Sequence, residues 1–204
     1  MYNRVDLKDR SKDQIRGKVL ILFFISLLLS VVSGVLGMIP IVGFIIGFLI
    51  VSVLSMGLYR IYLDVTRGME PKFERLLPEQ EIWGKAICLE LLVMLYTLLW
   101  SLLLVIPGII KAYSYAMAPY LLAEHPEMSA SEAIKESQSM MDGHKMDLFI
   151  LDLSFIGWAL LVPVTCGLIS IYLIPYTMTA RANFYRELTG GYHSQQPEVS
   201  YFSE

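Results

Sequence analysis

Apolar residues in this chain fall into long uninterrupted blocks, with the polar residues gathered in short clusters between them. From Val19 to Tyr59 there is no charged side chain, and comparable blocks start after Lys85 and after Lys145. A helix rises about 1.5 Å per residue, so roughly 20 apolar residues cross ~30 Å of hydrocarbon. The blocks have that length, and no segment alternates with the period of a barrel strand. Helices are therefore the expected spanning element, because in lipid every backbone amide must find its partner within the segment.

The pattern repeats three times. Gly17-Lys18, Gly84-Lys85 and Gly143-His144-Lys145 each open an apolar run, and these runs reach Pro40, Pro107 and Pro163. Each proline has a glycine close by (Gly43, Gly108, Gly167), and a second apolar run follows, ending in tyrosines and a charge. Proline stops a helix and glycine tolerates positive φ, so the spacing predicts three helical hairpins with tight turns. The predicted spans are 17–38, 41–63, 84–106, 108–123, 145–163 and 166–186, the fourth being short for a full crossing. The fold class expected is an all-α membrane protein of six transmembrane helices. One domain covers 1–186, with an N-terminal arm over 1–16 and a disordered tail over 187–204. Val31-Val32-Ser33 has the small residues of a cleavage site, but the apolar pattern runs on through it, which argues against a signal peptide.

Composition agrees. Of 204 residues, 55% are hydrophobic and 17% charged, and mean hydropathy is +0.57, outside the range of an ordinary soluble globule. The net charge of −3 and the lack of a basic stripe exclude nucleic acid as a partner. Fifteen of the sixteen Lys and Arg lie in the arm, the loops between hairpins and the last helix end, and the three Pro/Gly turns hold none. The positive-inside rule then places both termini on the cytoplasmic side of the membrane. Cys88 and Cys166 lie at opposite ends of the blocks, too far apart for a disulfide.

Between the second and third hairpins, Ser129 and Glu132 have the spacing of a capping box, and Gly143 suits the exit of a helix over about 129–142. Ala133, Ile134, Ser137, Met140 and Met141 share one face of it. That face either docks under its own bundle or meets a partner, with Ile134, Met140 and Met141 as the candidate contacts. Phe73, Leu76 and Leu77 form a shorter stretch of the same kind.

Several phrases carry a family resemblance. They are Leu98-Leu99-Trp100 through Ile106-Pro107-Gly108-Ile109-Ile110-Lys111, Tyr113-Ser114-Tyr115 with Ala118-Pro119-Tyr120, and Ser131-Glu132-Ala133-Ile134 to Gly143-His144-Lys145. Leu153-Ser154-Phe155-Ile156-Gly157-Trp158 and Pro175-Tyr176 with Phe184-Tyr185 complete the set. In order and spacing these blocks resemble the bacterial domain-of-unknown-function family nine-seven-five. The resemblance implies a multi-pass membrane protein, typically of Gram-positive bacteria, and implies no activity.

Few residues suggest chemistry. Lys111 is the sixteenth cation, four residues past Pro107, and either snorkels to the outer interface or faces the bundle as an anion site. Glu90 and Asp152 lie at matching depth in the third and fifth blocks. They either share a cation or proton site or pair with nearby Lys85, His144, Lys145 or Arg181. Gly43 and Gly47 form a GxxxG suited to close helix packing, and the tyrosines suit an interfacial belt. No metal spacing, nucleophile elbow or phosphate loop is present, so no catalytic residue, metal or cofactor is expected. The function expected is non-enzymatic: contact with membrane lipids or another membrane protein through the cytoplasmic face. The alternative is a small-solute or ion transporter using Lys111, Glu90 and Asp152.

Overall fold

The computed structural model describes residues 4–37, 42–165 and 167–190, and within them every regular element is helical. Helix α1 (Arg4–Ile15) comes first. Its stripe of Leu7, Ser11 and Ile15, one turn apart, is buried against the last helix, α10 (Ser170–Leu188). Gly17, at φ +78°, then bends the chain by 92° into α2 (Val19–Gly37). Positive φ costs glycine no Cβ clash, which is why the bend falls there.

Helix α2 packs beside α3 (Val42–Thr66). The hydroxyls of Ser26, Ser30 and Ser33 donate to carbonyls one turn back, which satisfies them inside an apolar helix. Ser26 also meets the buried Tyr62 hydroxyl at 2.9 Å. The first predicted turn at Ile39-Pro40-Ile41 lies outside the described residues. Gly43 falls in the first turn of α3, and Gly47 is buried one turn further on.

A short 3-10 turn, Phe73–Leu76, tucks against α3, and α4 (Gln80–Leu103) follows. The second predicted turn needs correction. The chain reverses at the extended Leu104 (φ −161°, ψ 142°), and Pro107 and Gly108 lie inside α5 (Val105–Tyr115). Pro107 sits in the first helical turn, where a missing amide proton costs nothing. Gly108 lets the two helices touch: a Cβ there would lie 2.8 Å from the Ser101 Cα. The fourth predicted span is likewise not one helix. It breaks at Ala116-Met117 and resumes as α6 (Ala118–Glu124), because Pro119 cannot continue α5.

Helix α7 (Ala130–Met140) carries the expected capping box, with the Glu132 amide donating to Ser129 Oγ and the Ser129 amide to Glu132 Oε2 at 2.8 Å. Gly143 (φ +81°) precedes α8 (Lys145–Ala159). Pro163 lies within the short α9 (Leu161–Val164) instead of at the turn, and the reversal comes at Gly167 (φ +84°). Cys166 is outside the described residues. Helix α10 runs on to Leu188, and Glu187 pairs with Arg10 at 3.0 Å, so the tail starts later than 187. The remainder of the predicted tail is outside the described residues.

By length and composition, Ile45–Thr66, Gln80–Leu102 and Lys145–Val164 can each cross a bilayer, and the bent pair α1–α2 would make a fourth. The molecule has two zones. At one end α1, α6, α7, the second half of α3 and that of α10 enclose a core whose largest buried residues are Tyr62, Tyr120, Tyr176 and Tyr185. At the other end apolar side chains point outward, among them Leu91, Leu98, Leu102, Val105, Ile106, Val164 and Leu168. Apolar surface on that scale fits a helical membrane protein.

Candidate functional site

A cavity of about 400 Å³ opens where α3, α4, α5, α6, α8 and α10 converge, and it is lined by Glu90 and Arg181 together with Tyr59, Tyr113, Tyr115 and Tyr120. Each polar group arrives from a different helix. Glu90 projects from α4 next to the buried Leu89, and its Oε1 accepts from Ser55 Oγ of α3 at 3.1 Å. Arg181 of α10 grips Asp152 of α8 with two bonds, Nε to Oδ1 at 3.0 Å and Nη2 to Oδ2 at 2.7 Å. The Tyr113 hydroxyl of α5 donates to the same Asp152 Oδ2 at 3.1 Å. The fork-to-fork geometry holds both charges in one plane, which suits arginine and not lysine.

Two polar features of this cavity are left over. Arg181 and Asp152 cancel each other, whereas among the described residues Glu90 has no cation within ion-pair distance and only a serine hydroxyl as partner. Tyr120 is buried at 2% exposure, and its hydroxyl has no hydrogen-bond partner among the described residues. Its ring packs edge-on against Tyr59 at 4.8 Å and is stacked on Tyr185 at 5.6 Å. Buried polar groups are normally satisfied, and this oxygen is enclosed by the packing around it.

The other predicted site residues are dispersed. Glu90 and Asp152 are not brought together: Glu90 lines the cavity, whereas Asp152 takes the structural pair with Arg181 and lies outside the lining. Lys111 is away from them, its ammonium 5.1 Å above the Trp100 ring. The α7 face turns inward: Ile134 and Met141 are buried and Met140 is partly so, packed against α4, α5 and α6. Ser137 fixes it there, donating to the Ser114 carbonyl at 2.8 Å and accepting from the Met117 amide. Ile134, Met140 and Met141 are therefore packing residues and do not form a free docking face. Among the described residues no group of His, Cys, Asp or Glu is placed to hold a metal.

Sequence reasoning missed the cavity's aromatic wall, assigning the tyrosines to an interfacial belt. It offers Arg181 as one of four possible partners for the two acids and does not single it out. A usable signal was its position: Arg181 follows the apolar residues of α10 by only a turn or so and is itself followed by the buried Ala182, Asn183 and Phe184. A second cavity, of about 420 Å³, has Arg60, Arg67 and Arg75 in its lining, but these are committed: Arg67 pairs with Glu124, Arg75 with Asp64, and Arg60 donates to the Ala123 carbonyl.

A family of proteins of unknown function, DUF975, has a model that matches residues 1–114 and 102–191. The chain belongs to this family. No curated protein and no solved structure matches it. The two DUF975 matches overlap over 102–114, the segment that holds the α4–α5 reversal, Pro107, Gly108 and Lys111. Every residue of the cavity falls within the DUF975 matches.

Proposed function

We propose that this DUF975 protein is a non-enzymatic multi-pass protein of the bacterial cell membrane that binds a small charged solute or lipid headgroup in the cavity between its helices. The observation that carries the reading is Glu90, with no cation in ion-pair distance among the described residues, in one cavity with Arg181, whose charge Asp152 balances from behind. Ionisable side chains among membrane helices are costly and are kept where they serve a pathway or a site. Lipid contact and solute movement both need such a site, whereas α7 has no free apolar face to offer a partner.

The topology that goes with this is six crossings as three hairpins, with both termini cytoplasmic. It is supported by the clustering of fifteen cations at one end and by the uncharged, outward-facing tips near Leu104 and Leu168. A short charged tag inserted at Leu104 or Leu168 is expected to be detected on intact cells, and cysteines at Met69 and Glu127 to label only after permeabilisation. The opposite pattern refutes the orientation. For the site, small ions and solutes are titrated against protein in lipid discs by calorimetry, and saturable binding abolished by Glu90→Gln is the expected result.

A second reading, contact with another membrane protein, is supported by Phe73 and Leu77, which remain exposed beside the buried Leu76. Phe73→Asp with Leu77→Asp tests it by loss of a co-purifying partner.

A further inference from the structure

The ligand class can be narrowed from the wall itself, on the reading that the cavity is a binding site. Three physical properties of the wall bear on it. The first is charge. Glu90 and Arg181 line the cavity and Asp152 lies behind Arg181, so the three ionised groups together carry one negative charge. An anion would meet only the guanidinium N–H groups that Asp152 leaves, and it would face the Glu90 carboxylate.

The second is the number of oxygen ligands. A bare metal cation wants a close shell of several oxygens. Here the Tyr113 hydroxyl is spent on Asp152, the Asp152 oxygens on Arg181, and one Glu90 oxygen on Ser55. What remains cannot enclose a small ion, and about 400 Å³ is far more space than such an ion fills. The third is the aromatic lining. Tyrosine rings present a negative quadrupole to a cation, and rings beside a carboxylate are the usual recognition surface for organic ammonium groups.

We infer that the cavity binds an organic ammonium ion, with Glu90 as counter-ion and Tyr59 and Tyr113 as the aromatic wall. The same chemistry is carried by a free amine and by an ethanolamine or choline headgroup.

The test is calorimetric titration of the full-length protein in phosphatidylglycerol discs with tetramethylammonium and with ethanolammonium chloride at constant ionic strength. Both ions are expected to bind, and Glu90→Gln, which keeps the Ser55 contact, to weaken them by at least about tenfold. Ala112→Phe narrows the cavity from an exposed lining position and is expected to do the same with helix content unchanged, so the test survives if Glu90→Gln folds poorly. Discs of phosphatidylethanolamine separate the sources: a headgroup ligand abolishes the titration of free ethanolammonium there, and a free-amine site does not. Binding of phosphate, glycerol or sodium with no ammonium binding overturns the ammonium assignment and leaves the cavity reading standing. Failure of every probe with wild-type protein overturns both.

Discussion

Gly57 faces the 3-10 turn, and the turn's backbone occupies the space that a side chain would need. A Cβ at position 57 would lie 2.8 Å from the Leu76 Cα, and the Leu76 carbonyl carbon and oxygen are nearer still. Ordinary contact starts at roughly 3.4 Å, and the obstructing atoms are backbone, which no rotamer change can move. Gly57→Ala must therefore push the Phe73–Leu76 turn off α3. Leu76, 5% exposed, would lose much of its burial, and the Arg75–Asp64 pair its register. Overpacking costs about 1–3 kcal/mol, and partial exposure of a leucine adds about 1–2 kcal/mol. At about 2–4 °C per kcal/mol for a chain of this size, the melting temperature falls by about 4–20 °C. Gly84→Ala is the control, since nothing lies within 4 Å of its Cβ and alanine favours the helix. Melting both variants in the same lipid discs, followed by helical circular dichroism, decides the matter. If Gly57→Ala melts within a degree of Gly84→Ala, the close approach is not rigid and the reasoning is wrong.

Asp152→Asn removes the carboxylate that Arg181 grips. Both side chains are partly exposed, so the expected loss is about 1–2 kcal/mol, less than for a fully buried pair, and the Arg181→Met, Asp152→Asn double variant should recover part of it in a melting cycle. Ser129→Ala removes the α7 cap and should cost about 1 kcal/mol, seen as faster amide exchange over Ala130–Met140. The Ser129 amide, and after it the Ser129 hydroxyl, hold the Glu132 carboxyl below its usual range. Its contribution is thus complete above the unfolded value near ~4.3 and lost as pH falls through the lower folded value, so α7 exchange should rise on acidification below about pH 4 and the rise should vanish in Glu132→Gln. Lys111→Gln loses only the contact with Trp100, about 0.5–1 kcal/mol in melting, and should leave ammonium binding unchanged.

The blocks that cross a membrane are legible because burial in lipid imposes one rule on every residue of a segment. Reversals are less legible because proline has two uses. Pro107 and Pro163 were read as turn residues, yet each sits in the opening turn of a helix, where its missing proton is harmless, and the reversals fall at Leu104 and Gly167. The capping box of α7 is local, spanning four residues, and it forms where the pattern predicts. Which way α7 faces depends on Ser137 reaching Ser114 and Met117, over twenty residues away, and an amphipathic pattern is silent on what covers it. The candidate site divides in the same way. Glu90 and Asp152 stand out as acids in apolar blocks, whereas the Arg181 pairing joins residues 29 apart, and the tyrosine wall collects side chains from α3, α5 and α6.

Where the site sits follows from where burial changes along each helix. In α4, Ile82, Ala86 and Leu89 are buried, and from Leu91 the apolar residues face outward. In α3 the outward-facing Ile45, Ile46, Leu49 and Ile50 give way to buried Ser52 and Val53, and in α5 exposed Ile109 and Ile110 give way to buried Ser114 and Tyr115. Ser55, Glu90 and Tyr113 lie within a few residues of these three transitions. The polar groups of the cavity therefore occupy the level at which the packed, cation-rich end meets the lipid-facing end.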